Sequence, residues 1–229
     1  MIGMIGAMSV ETDALKAMVE NAVSEEISGV VFVKGVLSGK DVVVAQCGIG
    51  KVFAALCAQT MILRYGVDEV INVGVAGSLS EKVGLLDIAL SDAVVEHDMD
   101  TSPLGDPVGL ISGINVVYLP ASESLNLRVE AAARAIGKPA VRGVIASGDQ
   151  FIADSARKAS IVENFNAIAC DMEGAAIGHV CYVNKVPFTV IRSISDNASE
   201  DAGSMEYPTL CQHAAKQSQD LIRTFFAMN

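Results

Sequence analysis

Short apolar runs rich in β-branched residues alternate with longer helical patterns, and this alternation most limits the folds open to the chain. Strand-like runs occur at 2–5, 30–37, 42–46, 70–73, 88–95, 116–119, 141–146 and 188–194. Helical patterns occur at 10–21, 51–65, 124–136, 155–164, 173–183 and about 209–226. Such alternation is typical of βα units around a buried sheet. We predict a single α/β domain over residues 1–229, with a central mixed β-sheet flanked by helices.

The charge balance limits the partners of this chain. Sixteen Lys and Arg against 27 Asp and Glu give a formal net charge of −11, without a basic cluster. Binding to nucleic acids or anionic membranes depends on basic groups, so neither partner is expected. No apolar run approaches the roughly 18 residues that span a bilayer. The first residues, MIGMIGAMSVETD, lack a basic region typical of secretion signals. We therefore expect a cytoplasmic protein.

Cysteines and histidines do not suggest a disulfide framework or a metal site. The cysteines form an odd set without a C-x-x-C pair, at positions 47, 57, 170, 181 and 211. Each has apolar neighbours, where a thiol packs as a small hydrophobe, so we expect reduced core residues. The three histidines form no H-x-x-x-H pattern, and no metal site is predicted.

Three glycine-containing segments do not match the nucleotide-binding loops that they partly suggest. In Gly48-Ile49-Gly50-Lys51 the glycine spacing differs from that of a Walker loop, and Val52 follows the lysine. The segments 3–6 and 74–77 are not G-x-G-x-x-G fingerprints. Tight strand-to-helix turns explain these glycines instead.

Polar side chains follow several predicted strands at the point where each strand ends. They are Glu11, Asp149, Asp171, Glu173, Arg192, Ser195 and Asp196. Ligands of open α/β sheets bind at the carboxyl ends of strands, so we expect these residues around one crevice. Carboxylates beside an arginine and a serine suit acid–base chemistry on a neutral, polyhydroxylated substrate.

Three of these carboxylates also have a purely structural interpretation. Glu173 can hold a vicinal diol, but the helix dipole alone favours an acid at the start of the helix that follows. A protonated Asp196 can donate to a purine ring nitrogen, but an Asx cap fits the same position. Glu11 lies in the first turns of an amphipathic helix, where a solvated carboxylate is common. The residues alone leave these alternatives open.

Six motifs in order carry a resemblance to a known family. They are I-G-A-M at 5–8 with Glu11, G-I-G-K-V at 48–52, G-V-A-G-S-L at 74–79, A-S-G-D-Q-F-I at 146–152, D-M-E-G-A at 171–175 and R-S-I-S-D-N-A at 192–198. The chain resembles the 5′-methylthioadenosine/S-adenosylhomocysteine nucleosidases of the purine nucleoside phosphorylase superfamily. The resemblance implies a three-layer α/β/α fold of the nucleoside phosphorylase type and a homodimer. It also implies hydrolysis of methylthioadenosine, S-adenosylhomocysteine and 5′-deoxyadenosine to adenine and a 5-substituted ribose, without cofactor.

The resemblance also implies roles for individual residues. Asp196 is expected to protonate purine N7 and Ser195 to orient it. Glu11, helped by Arg192, is expected to hold the attacking water, and Glu173 the ribose hydroxyls. The expected substrate contacts are completed by Phe151, stacked on adenine, and by Met172, Ile152, Met8, Ile49, Ala76, Gly77 and Tyr207.

Four positions depart from the family pattern. Val75 stands where many relatives have serine, and Asp171 where the family motif has glutamate. Tyr207 replaces the usual phenylalanine near the 5′ substituent. Leu104 takes a position that is often aromatic, in the irregular segment 96–113 that reaches a neighbouring subunit's pocket in this family. The preferred 5′ substituent therefore stays open.

Three other functions are compatible with the same motifs. A phosphorylase would need several basic groups beside the sugar, whereas Glu11 would repel phosphate. The second function is the cleavage of aminodeoxyfutalosine in menaquinone synthesis. The same enzyme can combine this reaction with the hydrolysis of methylthioadenosine. A nucleoside-binding module without activity would be expected to have lost Glu11 or Asp196, and both are present.

Overall fold

The computed structural model describes residues 1–197 and 207–228, and of Tyr207 and Pro208 only the backbone. Its elements in chain order are β1 (Ile2–Gly6), α1 (Ser9–Ala17), β2 (Glu20–Ile27), β3 (Val30–Leu37), β4 (Lys40–Gln46), α2 (Lys51–Thr60), a π-helical turn (Met61–Tyr65), β5 (Glu69–Ser78), β6 (Ile88–Glu96), a 3-10 turn (Ser102–Leu104), β7 (Leu119–Pro120), α3 (Glu123–Ala135), β8 (Ala140–Ser147), α4 (Ser155–Phe165), β9 (Ala167–Asp171), α5 (Gly174–Asn184), β10 (Phe188–Asp196) and α6 (Tyr207–Met228).

The described strands form one mixed sheet that partly closes on itself. Its order is β10-β6-β8-β9-β5-β1-β4-β3-β2, with β7 paired to β6. Because β10 also pairs with β5, the strands β5, β10, β6, β8 and β9 form a closed ring. β4 runs parallel to β1, and both β1 and β10 run parallel to β5. The carboxyl ends of these four strands therefore lie together. β9 pairs with β5 only at the last two residues of β5, Gly77 opposite Cys170 and Ser78 opposite Ala169.

Helices cover both faces of this sheet. Apolar residues of α1, α3 and α6 form one core, including Leu15, Leu125 and Phe225. Residues of α2 and α5 form the core on the other face, including Cys57 and Ile177. α4 packs with β8 and β9 in a third, smaller cluster. The predicted single α/β domain with a mixed sheet between helices is confirmed.

Several predicted elements differ from the structure at their ends. The helix predicted at 10–21 ends at Ala17, and β2 follows it. β2 is an edge strand with mostly exposed, acidic residues, so it lacks the apolar run that marks a strand. The helix predicted at 51–65 changes into the π-helical turn after Thr60. The strand predicted at 116–119 is reduced to the two residues of β7.

The C-terminal part also differs from the prediction. After the predicted strand at 188–194, the polar run 195–204 predicts a loop, but Ser195 and Asp196 are the last residues of β10, and both are buried. β10 is longer because it continues to pair with β5 through a bulge between Ile194 and Asp196. Residues 198–204 of that predicted loop lie outside the described part of the chain.

The remaining expectations concern thiols and the long irregular segment. All five cysteines are buried, as predicted for core residues, and among the described residues none of them forms a disulfide bond. Between Glu96 and Gly113 the only regular elements are the 3-10 turn at Ser102–Leu104 and an isolated bridge at Ile111. Leu104 in this turn is 83% exposed. Within the described ranges, no helix combines the length and the hydropathy that a membrane span requires.

Small residues let α5 approach the sheet closely. Its buried positions are mostly glycine, alanine and cysteine. A Cβ on Gly178 would lie 2.6 Å from Val94 Cγ2 and 2.9 Å from the Phe188 ring. These distances are well below van der Waals contact. Glycine at 178 therefore sets the distance between α5 and the sheet, and with it the position of the residues just before the helix.

Gly178→Ala is expected to lower the free energy of unfolding by about 1–3 kcal/mol, because overpacking outweighs the gain in helix propensity. That gain is about 1 kcal/mol for Gly to Ala in a helix. Urea denaturation of both proteins measures the difference. Gly84→Ala is the control, since the nearest atom to its Cβ would lie at an ordinary 3.5 Å. Equal stability of Gly178→Ala and the native protein would contradict the packing argument.

Candidate active site

A cleft lies where the carboxyl ends of β1, β5, β9 and β10 come together. Its empty volume is about 640 Å³, including the open mouth, which is sufficient for a nucleoside. The predicted site residues that line it are Met8, Glu11, Ile49, Ala76, Gly77, Phe151, Ile152, Met172, Glu173, Ser195 and Asp196. Arg192 lies beneath the cleft, 1% exposed. Tyr207 opens α6, and its side chain lies outside the described part of the chain.

The Glu11 carboxylate is held by three backbone N–H groups. Oε2 accepts from Ala7 N at 2.7 Å and from Met8 N at 2.9 Å, and Oε1 accepts from Val75 N at 3.1 Å. The carboxylate is therefore buried, and a solvated helix carboxylate is not what the structure shows. Burial raises the pKa of Glu11, although the charge of Arg192 and the three N–H groups act in the opposite direction. The orientation of the Glu11 carboxylate is therefore fixed, and it can accept a hydrogen bond from a ligand at one wall of the cleft.

A buried ion pair lies directly under the cleft. Arg192 Nη2 is 2.6 Å from Asp171 Oδ2 and also donates to Asn72 Oδ1. Ser147 Oγ donates to the other oxygen of Asp171. Glycine at position 74 leaves open the space that Arg192 and Glu11 both border, since a Cβ there would lie 3.3 Å from Arg192 Nη1 and 2.9 Å from Glu11 Oε1. The charge of Arg192 lowers the pKa of Glu11, so the arginine acts on this carboxyl group through its electric field.

Glu173 faces the cleft because other residues cap the helix that follows it. Asp171 accepts from Gly174 N at 3.2 Å, and Ser147 Oγ accepts from Ala175 N at 2.7 Å. Glu173 Oε1 instead accepts from Gly50 N, 123 positions away, at 2.8 Å. Burial, reinforced by the charge of Asp171, raises the pKa of the Glu173 carboxyl to about 7. The simple helix-dipole interpretation thus applies to Asp171, whereas Glu173 remains available to a ligand.

Asp196 lies on the opposite strand end, next to Ser195. Ser195 Oγ donates to Asp196 Oδ2 at 3.0 Å and lies 3.4 Å from the Ala76 carbonyl oxygen. Both residues are buried, with Asp196 lining the cleft. The serine fixes one oxygen of the carboxyl, and the carboxyl group reaches the cleft at the end of β10. An acid held in this way is suited to proton transfer to a bound ligand.

An aromatic residue and apolar side chains supply the rest of the wall. Phe151 is 52% exposed in the loop after β8, beside the buried Ile152. Met8, Ile49 and Met172 add apolar surface next to the carboxylates. A flat ring and thioethers beside these carboxylates suit a ligand with one aromatic and one polyhydroxylated part.

Sequence reasoning missed several lining residues. These are Ala7, Gln150 and Cys170. Ala7 and Gln150 lie within motifs that the sequence analysis quoted, so their motif membership was an available signal. Cys170 was placed in the core as an apolar thiol, and no signal distinguished it from the other cysteines. Val75 departs from the family serine, but its backbone N–H still holds Glu11.

Comparison with known proteins places this geometry in a family. The family model for the phosphorylase superfamily matches residues 1–227. A 5′-methylthioadenosine/S-adenosylhomocysteine nucleosidase of Shewanella putrefaciens is 43% identical over 206 residues, covering 88% of this chain and 87% of the relative.

Solved structures agree with this placement. A nucleosidase of the same name from Colwellia psychrerythraea, in complex with adenine, is 35% identical with a TM-score of 0.93, covering 99% of this chain and 94% of that one. Futalosine hydrolase of Helicobacter pylori is 37% identical with a TM-score of 0.94, covering 100% and 97%. The chain therefore belongs to the phosphorylase superfamily and, within it, to the family of 5′-methylthioadenosine/S-adenosylhomocysteine nucleosidases.

Proposed function

We propose that the protein hydrolyses the N-glycosidic bond of 5′-methylthioadenosine and S-adenosylhomocysteine, releasing adenine and the 5-substituted ribose. 5′-Deoxyadenosine is a further substrate of the same class. The observation that carries the proposal is the convergence of Asp196, Glu11, Glu173 and Phe151 on one cleft. These are the groups that such a reaction needs: an acid for the base, a holder for water, an acceptor for a diol and an aromatic surface.

Asp196 acts as the general acid in this proposal. A proton passed from its carboxyl group to purine N7 makes adenine a neutral leaving group. The hydrogen bond from Ser195 at 3.0 Å keeps the carboxyl aimed into the cleft. The bond between the base and the anomeric carbon then breaks, and the sugar develops oxocarbenium character.

Glu11 holds the water that attacks the anomeric carbon. Burial raises the pKa of its carboxyl group, which makes the carboxylate a stronger base toward that water. Water transfers one proton to Glu11 and its oxygen bonds to the anomeric carbon. Arg192 does not line the cleft, so we assign it as a positioning residue that acts through Asp171 and its field on Glu11.

Glu173 binds the ribose hydroxyls, and its charge also favours the cationic sugar of the transition state. Met172, Met8 and Ile49 pack around the sugar, while Ile152, Ala76 and Gly77 complete the wall near the base. Tyr207 is proposed beside the 5′ substituent. The described part of the chain does not include its side chain.

The charge of the cleft favours hydrolysis over phosphorolysis. Among the described residues that line it, none is basic, whereas Glu11, Glu173, Asp171 and Asp196 are acidic. A phosphate dianion would be repelled there, because phosphate sites need basic side chains or several converging N–H groups. The N–H groups near Glu11 are already occupied by its carboxylate.

A second candidate substrate is aminodeoxyfutalosine, on the same catalytic groups. The likeness to futalosine hydrolase of Helicobacter pylori, with a TM-score of 0.94, supports it. This substrate carries a larger 5′ group, and the exposed Leu104 in place of an aromatic residue is compatible with a wide 5′ pocket.

We also propose a cytoplasmic homodimer that serves methionine salvage. Large apolar side chains are exposed along α2 and the π-helical turn, namely Val52, Phe53, Leu56 and Leu63. A second copy that covers this face would remove them from water. The burial of all five cysteines, none in a disulfide bond among the described residues, supports a reducing compartment.

Adenine release from methylthioadenosine is expected in phosphate-free buffer, with free methylthioribose as the second product. The reason is that water, not phosphate, is held beside the sugar. Chromatography of base and sugar measures both products, with and without added phosphate. A strict need for phosphate and formation of a sugar 1-phosphate would contradict hydrolysis.

Asp196→Asn is expected to lower kcat about a hundred- to ten-thousand-fold, since the amide keeps the shape but has no proton to transfer to N7. Steady-state kinetics with methylthioadenosine measure it. Asp154→Asn, at the cap of α4, is the matched control and should retain native kcat. A kcat of Asp196→Asn within about tenfold of the native value would refute the assignment of the acid.

Glu173→Gln is expected to raise the melting temperature near pH 7.5 while impairing binding of ribose substrates. Because its pKa is raised to about 7 from an ordinary 4.5, the folded protein binds this proton more tightly than the unfolded chain. Ionisation therefore lowers the free energy of unfolding as pH rises between these values, by about 3 kcal/mol in total. The difference between variant and native protein should shrink near about pH 5. The exposed Glu163→Gln is the control, and a pH-independent difference for Glu173→Gln would contradict the burial of its charge.

A further inference from the structure

Consecutive backbone N–H groups join the two loops that hold the two halves of the proposed substrate. Gly50 N donates to Glu173 Oε1 at 2.8 Å, and the next amide, Lys51 N, donates to Asp149 Oδ1 at 2.7 Å. Asp149 directly precedes Gln150 and Phe151, which line the base side of the cleft. One turn before α2 thus touches both the ribose carboxylate and the base loop.

The side chain of Lys51 makes a second connection to the same loop. Its Nζ donates to Asp98 Oδ1 at 2.6 Å, and Asp98 Oδ2 accepts from Asp149 N at 2.9 Å. Together with the bond from Lys51 N to Asp149, these contacts form a closed circuit, here called the Lys51–Asp98–Asp149 ring. Its members come from three segments of the chain that are about 50 residues apart.

Burial and charge make this ring stiff. The side chains of Lys51 and Asp98 are 19% and 18% exposed. Lys51 Nζ also lies 3.1 Å from Glu96 Oε2, while Glu96 Oε1 contacts His179 Nδ1 at 2.9 Å. Burial lowers the pKa of the Lys51 ammonium, but Asp98 and Glu96 outweigh it and the net pKa is raised. Without this ammonium, Glu96 and Asp98 would face each other as unneutralised, partly buried charges.

Glycine at position 50 permits the close approach on which the ring depends. Its φ of +101° is unfavourable for other residues. A Cβ there would lie 3.0 Å from Asp149 Oδ1. The base loop therefore packs directly on the turn that donates to Glu173.

We propose that Lys51 and Asp98 are positioning residues that hold the ribose-binding Glu173 and the base-stacking Phe151 at a fixed separation, so that both halves of one nucleoside are bound together. The proposal rests on the proposed nucleosidase function. It extends that function to residues that do not line the cleft, as Lys51 and Asp98 act through Gly50 and Asp149. Loss of a fixed geometry lowers the rate strongly, because bound groups no longer meet in the reactive arrangement.

The test measures kcat and KM of Lys51→Met, Lys51→Arg and Asp98→Asn with methylthioadenosine and with its 2′-deoxy counterpart. For Lys51→Met we expect kcat/KM with the ribo substrate to fall about 10- to 100-fold. The deficit with the 2′-deoxy substrate should be clearly smaller, because part of the Glu173 contact is already absent. Lys51→Arg keeps the charge and should restore part of the loss. The double variant Lys51→Met/Asp98→Asn should lose less than the product of the single losses.

Lys216→Met is the matched control, since Lys216 forms a comparable 3.0 Å pair with Asp220 on α6 but is 63% exposed. It should retain native kinetics on both substrates. Equal losses of Lys51→Met on both substrates, or values within about twofold of native on both, would overturn the proposal. The first result would indicate general damage, and the second that the ring is unimportant for positioning.

Amide hydrogen exchange provides a readout that does not depend on turnover. Lys51→Met and Asp98→Asn should raise exchange in both 48–52 and 149–152, relative to the native protein and to Lys216→Met. Faster exchange in only one of these loops would overturn the coupling. A native protein that releases no adenine would contradict the proposed function, whereas the exchange result still decides the ring.

Discussion

The buried pair of Arg192 and Asp171 is the constraint on which the rest of the site depends. Two ions in the interior cost several kcal/mol each unless they are paired and hydrogen-bonded. Asp171 meets this requirement with Arg192, Ser147 Oγ and the first N–H groups of α5. One carboxylate therefore joins the ends of β8 and β9 and the middle of β10 to the start of α5. This junction sets the position of Glu173 at the start of α5 and the distance between Arg192 and Glu11.

Above the junction the cleft gathers acidic groups that would be unfavourable without a cationic partner. Burial raises the pKa values of Glu11 and Glu173, so part of the folding free energy is given up at neutral pH. The same arrangement suits a sugar that becomes positively charged in the transition state. A nucleoside carries no phosphate, so the negative charge of the protein does not repel this substrate.

Much of the fold was predictable because its strands and helices have strong periodicity. The predicted limits of α3, α4 and α5 agree with the structure within one residue. β2 was missed because its exposed, acidic residues carry no apolar pattern. The closure of the sheet between β5 and β10 was also outside sequence reasoning, since it depends on pairing between strands more than a hundred residues apart.

The sequence by itself determined the chemical types at the strand ends, their order in six motifs, and a charge that disfavours polyanionic partners. From the residues alone, Glu173 was either a diol acceptor or an acid at the start of a helix, and the partner of Asp171 was unknown. Only the tertiary structure decided that Asp171 pairs with Arg192 and caps α5 while Glu173 accepts from Gly50 and faces the cleft. It likewise placed Arg192 beneath the cleft and closed the ring around Lys51. The physical reason is that burial and hydrogen-bond partners, which decide what a carboxylate does, come from segments far apart in the chain.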